Sequence, residues 1–381
     1  MVRKRNPNGA GTITKRKDGR HMGRAYVTTP DGTRERLTVY GKTWEEAHDK
    51  LLKALAQEKA GIPQTVKSWK LGDWLDHWLE HVVKVSKRPS TYVLYELMTR
   101  LYLKPGLGKR PLNRLTVKDC QTFFNQRIAA GDGESKVRNM RTTLSAALTR
   151  AMKEELIQRN VARLVEFSFE NKDADKNEPW TPDEVRRFLK TATGDQLYPA
   201  FVMVFYLGLR RGEALGVRWA DVDWTGREIR IRKQSQRAGH SLHLSDVKTR
   251  AGRRPLPLLS VVRDALTDHQ DLQNEWRDKA GDKWTESGLV ITTRTGRQVE
   301  PRNFNRSFDR IRAAAGLRHL TPHGARHTCA SLLGELRVEP RAAMEILGHS
   351  RSSVTLEIYQ KASSEARRRA LKKVEKRLRG D

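Results

Sequence analysis

The chain has 381 residues, more than one hydrophobic core usually organises, and its 37% hydrophobic and 31% charged composition excludes a disordered polymer. Its 74 Lys and Arg against 45 Asp and Glu leave a formal charge of +29, a self-repelling surplus that makes nucleic acid the leading partner and an anionic membrane the rival. No stretch approaches the roughly 20 apolar residues of a membrane span, and the start MVRKRNPNGAG lacks an apolar signal core, so a cytoplasmic protein with no membrane partner is expected. Cys120 and Cys329 stand far apart without metal-ligand spacing, so both read as small buried residues and neither a disulfide nor a zinc site is suggested.

Three regions separate by pattern. Residues 1–63, 64–170 and 171–381 carry net charges of +7, +8 and +14, so the basicity belongs to the whole chain and its partner touches every region. The first shows short alternating runs broken at Asp18-Gly19 and Asp31-Gly32, both hairpin signals. A helix follows from Thr43, an N-cap candidate with Glu46 three residues on, and Gly61-Ile62-Pro63 stops it. The result is a β-β-β-α module. Its cations Lys15, Arg16, Lys17, Arg20, Arg24, Arg34 and Arg36 suit a sheet laid into a DNA groove, against the alternative of a merely solvated face.

The second region is helical, with Leu71, Trp74, Leu75, Trp78, Leu79 and Val82 at three- and four-residue steps. Four or five helices are expected, separated by turns at 87–90, 105–108 and 131–133, with the tryptophans in the core. Lys87, Arg88, Lys136, Arg138 and Arg141 lie near helix starts, where they suit phosphate contacts or plain solvation equally. A polar stretch, 170–179, reads as a linker. Beyond it, Thr181-Pro182-Asp183-Glu184 marks a helix start, and the apolar run Phe201 to Leu209 reads as a buried helix. Arg227 to Arg232 alternates as a strand, Arg254 to Leu258 can return beside it, and helices resume after Leu259. No phosphate-binding glycine loop occurs, which disfavours an ATP-driven machine. The fold class is mainly α with small β elements.

Breaking a DNA strand without ATP or metal needs a nucleophile, a proton acceptor, a proton donor for the leaving oxygen, and cations around the phosphate. The third region holds each type. Arg210 ends an apolar run with Glu213 three residues on, and Arg211 is its neighbour. His323 and Arg326 stand three apart, on one helical face. Leu347-Gly348-His349 precedes Tyr359 by ten residues.

In this order and spacing these segments resemble the tyrosine recombinase, or phage integrase, family: GLRxGE at Leu209 to Glu213, HxxRH at His323 to His327, LGH at Leu347 to His349, then Tyr359. The resemblance extends over the chain. It implies an arm-type DNA-binding domain at 1–63, a helical core-binding domain at 64–170 and a mixed, mostly helical catalytic domain at 171–381. It further implies that Arg210 and Arg326 clamp the scissile phosphate, His323 acts as general acid and base, His349 binds a non-bridging oxygen, and Tyr359 is the nucleophile. Glu213 supports its neighbours. Lys248 matches the family's hairpin lysine, the acid for the leaving 5′ oxygen, although Lys233 borders the same hairpin. Gly324 and Ala325 fill the variable positions of HxxRH, where the second is often larger.

A 3′-phosphotyrosyl intermediate exchanges one phosphodiester for another, so no cofactor is expected. The implied partners are core-type and arm-type double-stranded attachment sites, an accessory DNA-bending or directionality protein, and further copies of the chain. The stretch Ala362 to Arg379 carries an apolar stripe at helical steps, which suits a C-terminal helix linking protomers in a tetramer or folding back on its own domain. The competing functions are a type IB topoisomerase-like relaxing enzyme and a DNA-binding architectural protein without scission. The first has no need of an arm module, and the second leaves the Arg, His and Tyr set unexplained.

Overall fold

The computed structural model describes residues 11–28, 33–59, 69–167, 169, 178–239, 241–247 and 249–349. The chain divides into two compact units, 1–170 and 171–381. It is mainly helical with small antiparallel sheets, and none of its described helices is long and apolar enough to cross a membrane.

The first unit opens with β1 (Thr12–Lys15), β2 (His21–Thr28) and β3 (Arg34–Gly41), an antiparallel sheet in that order. The first expected hairpin turns at Gly19, whose φ of +81° suits a residue without a Cβ. The Asp31-Gly32 pair lies outside the described residues, though Thr28 pairs with Arg34 on either side of it. Helix α1 (Trp44–Lys59) starts as its sequence predicts: Thr43 Oγ1 accepts the Glu46 N–H at 3.1 Å, and Glu46 accepts the Lys42 N–H at 2.7 Å. Its expected stop at 61–63 is also outside the described residues. Strand alternation buries Gly23, Ala25 and Val27 on the face that meets α1, where Leu51 and Ala47 pack.

Four long helical runs complete this unit. Helix α2 (Leu71–Trp78) continues through a π turn, Leu79–Val83, into Lys84–Ser86. Helix α3 (Pro89–Met98) likewise continues through Thr99–Leu103 into Lys104–Leu107. Helices α4 (Val117–Ala129) and α5 (Glu134–Lys153) follow. Trp74 and Trp78 are buried among them, as is Cys120. One expected turn, 105–108, is instead helical as far as Leu107. Proline lacks an N–H and crowds the preceding turn, and the π turn just before it, in which the Lys104 N–H reaches back five residues to Thr99, provides the wider turn that admits Pro105.

In the second unit, α6 (Pro182–Ala192) begins with the expected capping box between Thr181 and Glu184. Helix α7 (Tyr198–Leu207) is buried nearly all round, with Phe201 and Phe205 in ring contact with Phe188, Trp180, Phe304 and Phe308. It ends two residues before Leu209, the end expected from the sequence, because Gly208 turns left-handed at φ +61°. Arg210 therefore belongs to the next element, as the N-cap of the short α8 (Arg211–Ala214).

Strands β4 (Val222–Asp223), β5 (Glu228–Ile231) and β8 (Arg254–Pro257) form one antiparallel sheet, pairing the two segments the sequence sets side by side. Between β5 and β8 rises a separate hairpin, β6 (Lys233–Ala238) with β7 (Ser241–Asp246). Helices α9 (Ser260–Ala280), α10 (Pro301–Ala314), α11 (Pro322–Glu335) and α12 (Pro340–Leu347) follow among the described residues, and α12 ends at Gly348, left-handed at φ +64°.

Gly208 and Gly194 separate two effects. Both have positive φ, but a Cβ at Gly194 meets nothing within 4 Å, whereas one at Gly208 would lie 2.6 Å from Leu347 Cδ2. Gly194→Ala should cost about 1 kcal/mol of backbone strain, and Gly208→Ala about 1–3 kcal/mol more from overpacking. Chemical denaturation of both variants checks this, and equal losses would remove the packing argument.

Candidate active site

The site is organised around the carboxylate of Glu213, which is 1% exposed. Arg210 Nη1 donates to Glu213 Oε1 at 2.6 Å, and the Arg210 N–H donates to Oε2 at 3.1 Å. Arg254 Nη2 donates to Oε2 at 3.3 Å, and Arg326 Nη1 lies 3.8 Å from the same oxygen. Burial alone would raise the Glu213 pKa, yet Arg254, Arg210 and Arg326 outweigh it and hold the group below its ordinary value. Three guanidiniums thus share one carboxylate, and the cluster keeps a positive excess.

Backbone carbonyls take up several of the other donors. Arg326, 3% exposed, donates from Nη1 to Gly208 O at 2.6 Å and from Nη2 to Leu347 O. Arg210 Nη2 donates to Gly348 O at 3.1 Å, and Arg254 Nε to Ile346 O at 2.7 Å. These acceptors are the carboxyl ends of α7 and α12, where a helix has unpaired C=O groups and attracts cations. The arginines therefore fasten two helix ends together, and His349 follows directly from one of them.

His323 sits in the first turn of α11, after the N-cap Thr321, with its ring edge-on to His327 at 4.6 Å. Desolvation, then repulsion from His327, Arg326 and Arg210, lowers its pKa to about 4, although the residue as a whole is exposed. Burial, then Arg326 and Arg210, lowers His349 to about 4 as well. Both imidazoles are therefore neutral at neutral pH and sit within the field of the same two arginines. The structure brings together four expected site residues, Arg210 and Arg326 at Glu213 and His323 and His349 within the field of those two arginines.

Lys248 and Tyr359 lie outside the described residues. Of the rival side chains, Lys233 is held by Asp246 at 3.1 Å at the base of the hairpin. Arg211 donates to Asn305 on α10 at 2.7 Å, away from Glu213, so the two adjacent arginines serve different elements. Arg254 was not among the expected residues. The signal for it is nonetheless present, because alternation along Arg254-Pro255-Leu256-Pro257 sends Arg254 inward with Leu256, and a buried arginine demands a partner.

The expected DNA-contacting cations fare unevenly. In the sheet module Arg24, Arg34 and Arg36 share the face opposite α1 with Tyr26 and Tyr40, which are 60% and 41% exposed. Arg16 and Arg20 lie over the Tyr40 ring and both approach Asp18. Lys15, opposite His21, alternates to the other face, and Lys17 stands in the turn. In the helical part Lys87 and Arg88 are exposed at the start of α3. Lys136 pairs with the buried Asp132 at 2.8 Å, Arg138 pairs with Glu134 at 2.6 Å, and Arg141 lies over Phe167. The same part has a groove of about 600 Å³ where Lys87, Arg141, Arg150, Lys153 and Arg163 surround Trp78 and Tyr95, three of them cations that periodicity does not single out.

Residues 178–366 match the Phage integrase family, and residues 70–127 match the phage integrase N-terminal SAM-like domain. A tyrosine recombinase XerC-like protein of Caldanaerobacter subterraneus subsp. tengcongensis is 28% identical over 90% of this chain and 93% of its own length. An integrase of Saccharopolyspora erythraea is 27% identical over 93% of both. Among solved structures, the Tn1549 transposon integrase in complex with a circular intermediate DNA superposes with a TM-score of 0.67 at 21% identity, covering 81% of this chain and 100% of that one. A lambda integrase dimer bound to a COC′ core site gives 0.57 at 19% identity over 94% and 96%. The chain belongs to the phage integrase family of tyrosine recombinases. It is accordingly a site-specific DNA recombinase, an enzyme of DNA strand transesterification.

Two measurements test the electrostatics of the site. Glu213→Gln removes the counter-charge of three guanidiniums and should lower unfolding free energy by about 3 kcal/mol; a loss under about 1 kcal/mol would deny the carboxylate this role. An imidazole whose folded pKa lies below its unfolded value leaves stability unchanged above about 6.5 and erodes it as pH falls toward about 4. Glu213 acts in the same direction at lower pH, its contribution full above the ordinary carboxylate value and fading as pH drops through the lowered one. Stability measured from pH about 7 to about 5 should fall less steeply in His323→Gln and His349→Gln than in the parent, and an identical slope would contradict the lowered values.

Proposed function

We propose that this recombinase cuts and rejoins DNA through a 3′-phosphotyrosyl intermediate on Tyr359, integrating and excising a phage or other mobile element. The observation that supports this most is the positive excess around Glu213, where Arg210 and Arg326 are fixed beside two neutral imidazoles. A phosphodiester brings one negative charge to such a place, and arginine meets it with N–H donors that are otherwise held by main-chain oxygens. The Tyr359 Oη attacks phosphorus and its proton passes to His323, which is neutral and so able to accept it. The bond to the 5′ oxygen breaks, and Lys248 supplies the proton that makes it a hydroxyl. His349 donates to a non-bridging oxygen. A 5′ hydroxyl from the second duplex then reverses each step, and the tyrosine regains its proton.

In this reading residues 1–63 bind arm-type sites through the sheet face carrying Arg24, Arg34 and Arg36, residues 64–170 bind core-type sites, and residues 171–381 perform the chemistry in the bacterial cytoplasm. A lambda integrase tetramer bound to a Holliday junction superposes with a TM-score of 0.57 at 18% identity. By analogy this chain acts as a homotetramer linked through its C-terminal helix, with an accessory DNA-bending or directionality protein.

Tyr359→Phe should bind its attachment-site DNA as well as the parent and form no covalent adduct on a nicked suicide substrate; a persisting adduct would move the nucleophile elsewhere. Arg210→Ala and Arg326→Lys should each slow cleavage roughly 100-fold, by analogy with loss of a preorganised transition-state donor. Cleavage at the parental rate would demote them to anchors.

A further inference from the structure

Arg254 opens β8 with its side chain turned inward and 7% exposed, and its guanidinium is engaged within the fold. Each of its three nitrogens has an acceptor, and the three acceptors belong to three chain segments. Nε donates to Ile346 O at 2.7 Å, in the last turn of α12, two residues before Gly348 and three before His349. Nη1 donates to Gly252 O at 3.0 Å, in the 3-10 turn Arg250–Gly252. Nη2 donates to Glu213 Oε2 at 3.3 Å, and Glu213 in turn holds Arg210 through both its guanidinium and its backbone N–H.

The fit is close on the opposite side as well. A Cβ on Gly348 would lie 2.6 Å from Arg254 Nη1 and 3.0 Å from Ala251 O, so the segment that leads into His349 passes against the guanidinium with room only for glycine. Only a planar fork satisfies this arrangement. A lysine reaches one of the three acceptors, and an apolar side chain takes a donor from two carbonyls and a carboxylate oxygen at once.

We infer that Arg254 is a positioning residue for strand cleavage, joining the segment before His349 and the 250–252 turn to the carboxylate that aims Arg210. The inference rests on the reading that Arg210 and His349 act on the scissile phosphate. Arg254 works through them and has no contact with DNA. Its loss leaves the DNA-binding surfaces intact and displaces the two groups that meet the phosphate, and a displacement of about 1 Å at a reacting centre costs on the order of 100-fold in rate.

The test uses the full chain as Arg254→Gln and Arg254→Lys, with single-turnover cleavage of a nicked suicide duplex at saturating DNA, DNA affinity, and thermal unfolding to fix an assay temperature at which each variant is folded. The expected result is affinity within about twofold of the parent, cleavage slowed on the order of 10- to 100-fold in Arg254→Gln, and partial recovery in Arg254→Lys. Cleavage by folded Arg254→Gln within threefold of the parent overturns the inference, as do equal rates for the two variants or a loss explained wholly by weaker binding. If Arg254→Gln does not fold, a parental rate in folded Arg254→Lys overturns it and a slowed rate at unchanged affinity supports it. Arg210→Ala and His349→Ala assayed alongside separate the two failures. Parental cleavage by both would overturn the phosphate-clamp reading, whereas their slowing beside a normal Arg254→Gln would overturn this inference alone.

Discussion

The whole catalytic unit depends on one buried carboxylate neutralising part, but not all, of the charge of three guanidiniums. Glu213 draws Arg210 from three residues away, Arg254 from 41 and Arg326 from 113 into one place. Removing these charges from water is expensive, and the arrangement is tolerable only because carboxylate and carbonyl oxygens meet their N–H groups. The residual positive charge is what an incoming phosphodiester encounters. Burial and reactivity are here two aspects of the same contact, since the interactions that close the core around α7 and α12 are those that set the cations in position.

Local signals in the sequence foretold local structure. Thr43 with Glu46 and Thr181 with Glu184 start helices because a hydroxyl and a carboxylate satisfy N–H groups within four or five successive residues. The alternation at 227–232 and 254–258 foretold two strands because side-chain direction in a strand is fixed by parity. The Arg210, His323, Arg326 and His349 set was legible through the resemblance of its motifs to the tyrosine recombinase family, each segment being weak alone. Arg254 is harder to single out, because beside Arg253 it resembles an exposed basic turn, and only the alternation with Leu256 across the pairing with β5 marks it as inward. The break at Gly208 was hidden inside an uninterrupted apolar run, and the π turns before Lys84 and Lys104 have no composition of their own.

Charge near a helix start proved a weaker guide. Lys136 stands one turn into α5, as a phosphate-gripping residue would, yet Asp132 in the preceding turn takes its ammonium. Arg127 shares that carboxylate, and both cations lie over the Tyr102 ring. Net charge establishes that a surface is basic, but only packing decides which cations have partners within the fold. In the sheet module the sorting is done by register, which sets Arg24, Arg34 and Arg36 beside two exposed tyrosines and leaves Lys15 on the helix side.

The oxygens that receive Arg326 and two of the three bonds of Arg254 are main-chain atoms at positions 208, 346, 347 and 252. A main-chain oxygen survives almost any exchange of the side chain beside it. Ile346 and Leu347 are thus free to drift in character so long as their volume is respected, while fragility concentrates in the hinge glycines and in the charged residues themselves. An ion cluster wired to the polypeptide rather than to other side chains gives evolution few points at which to break it and many at which to vary around it.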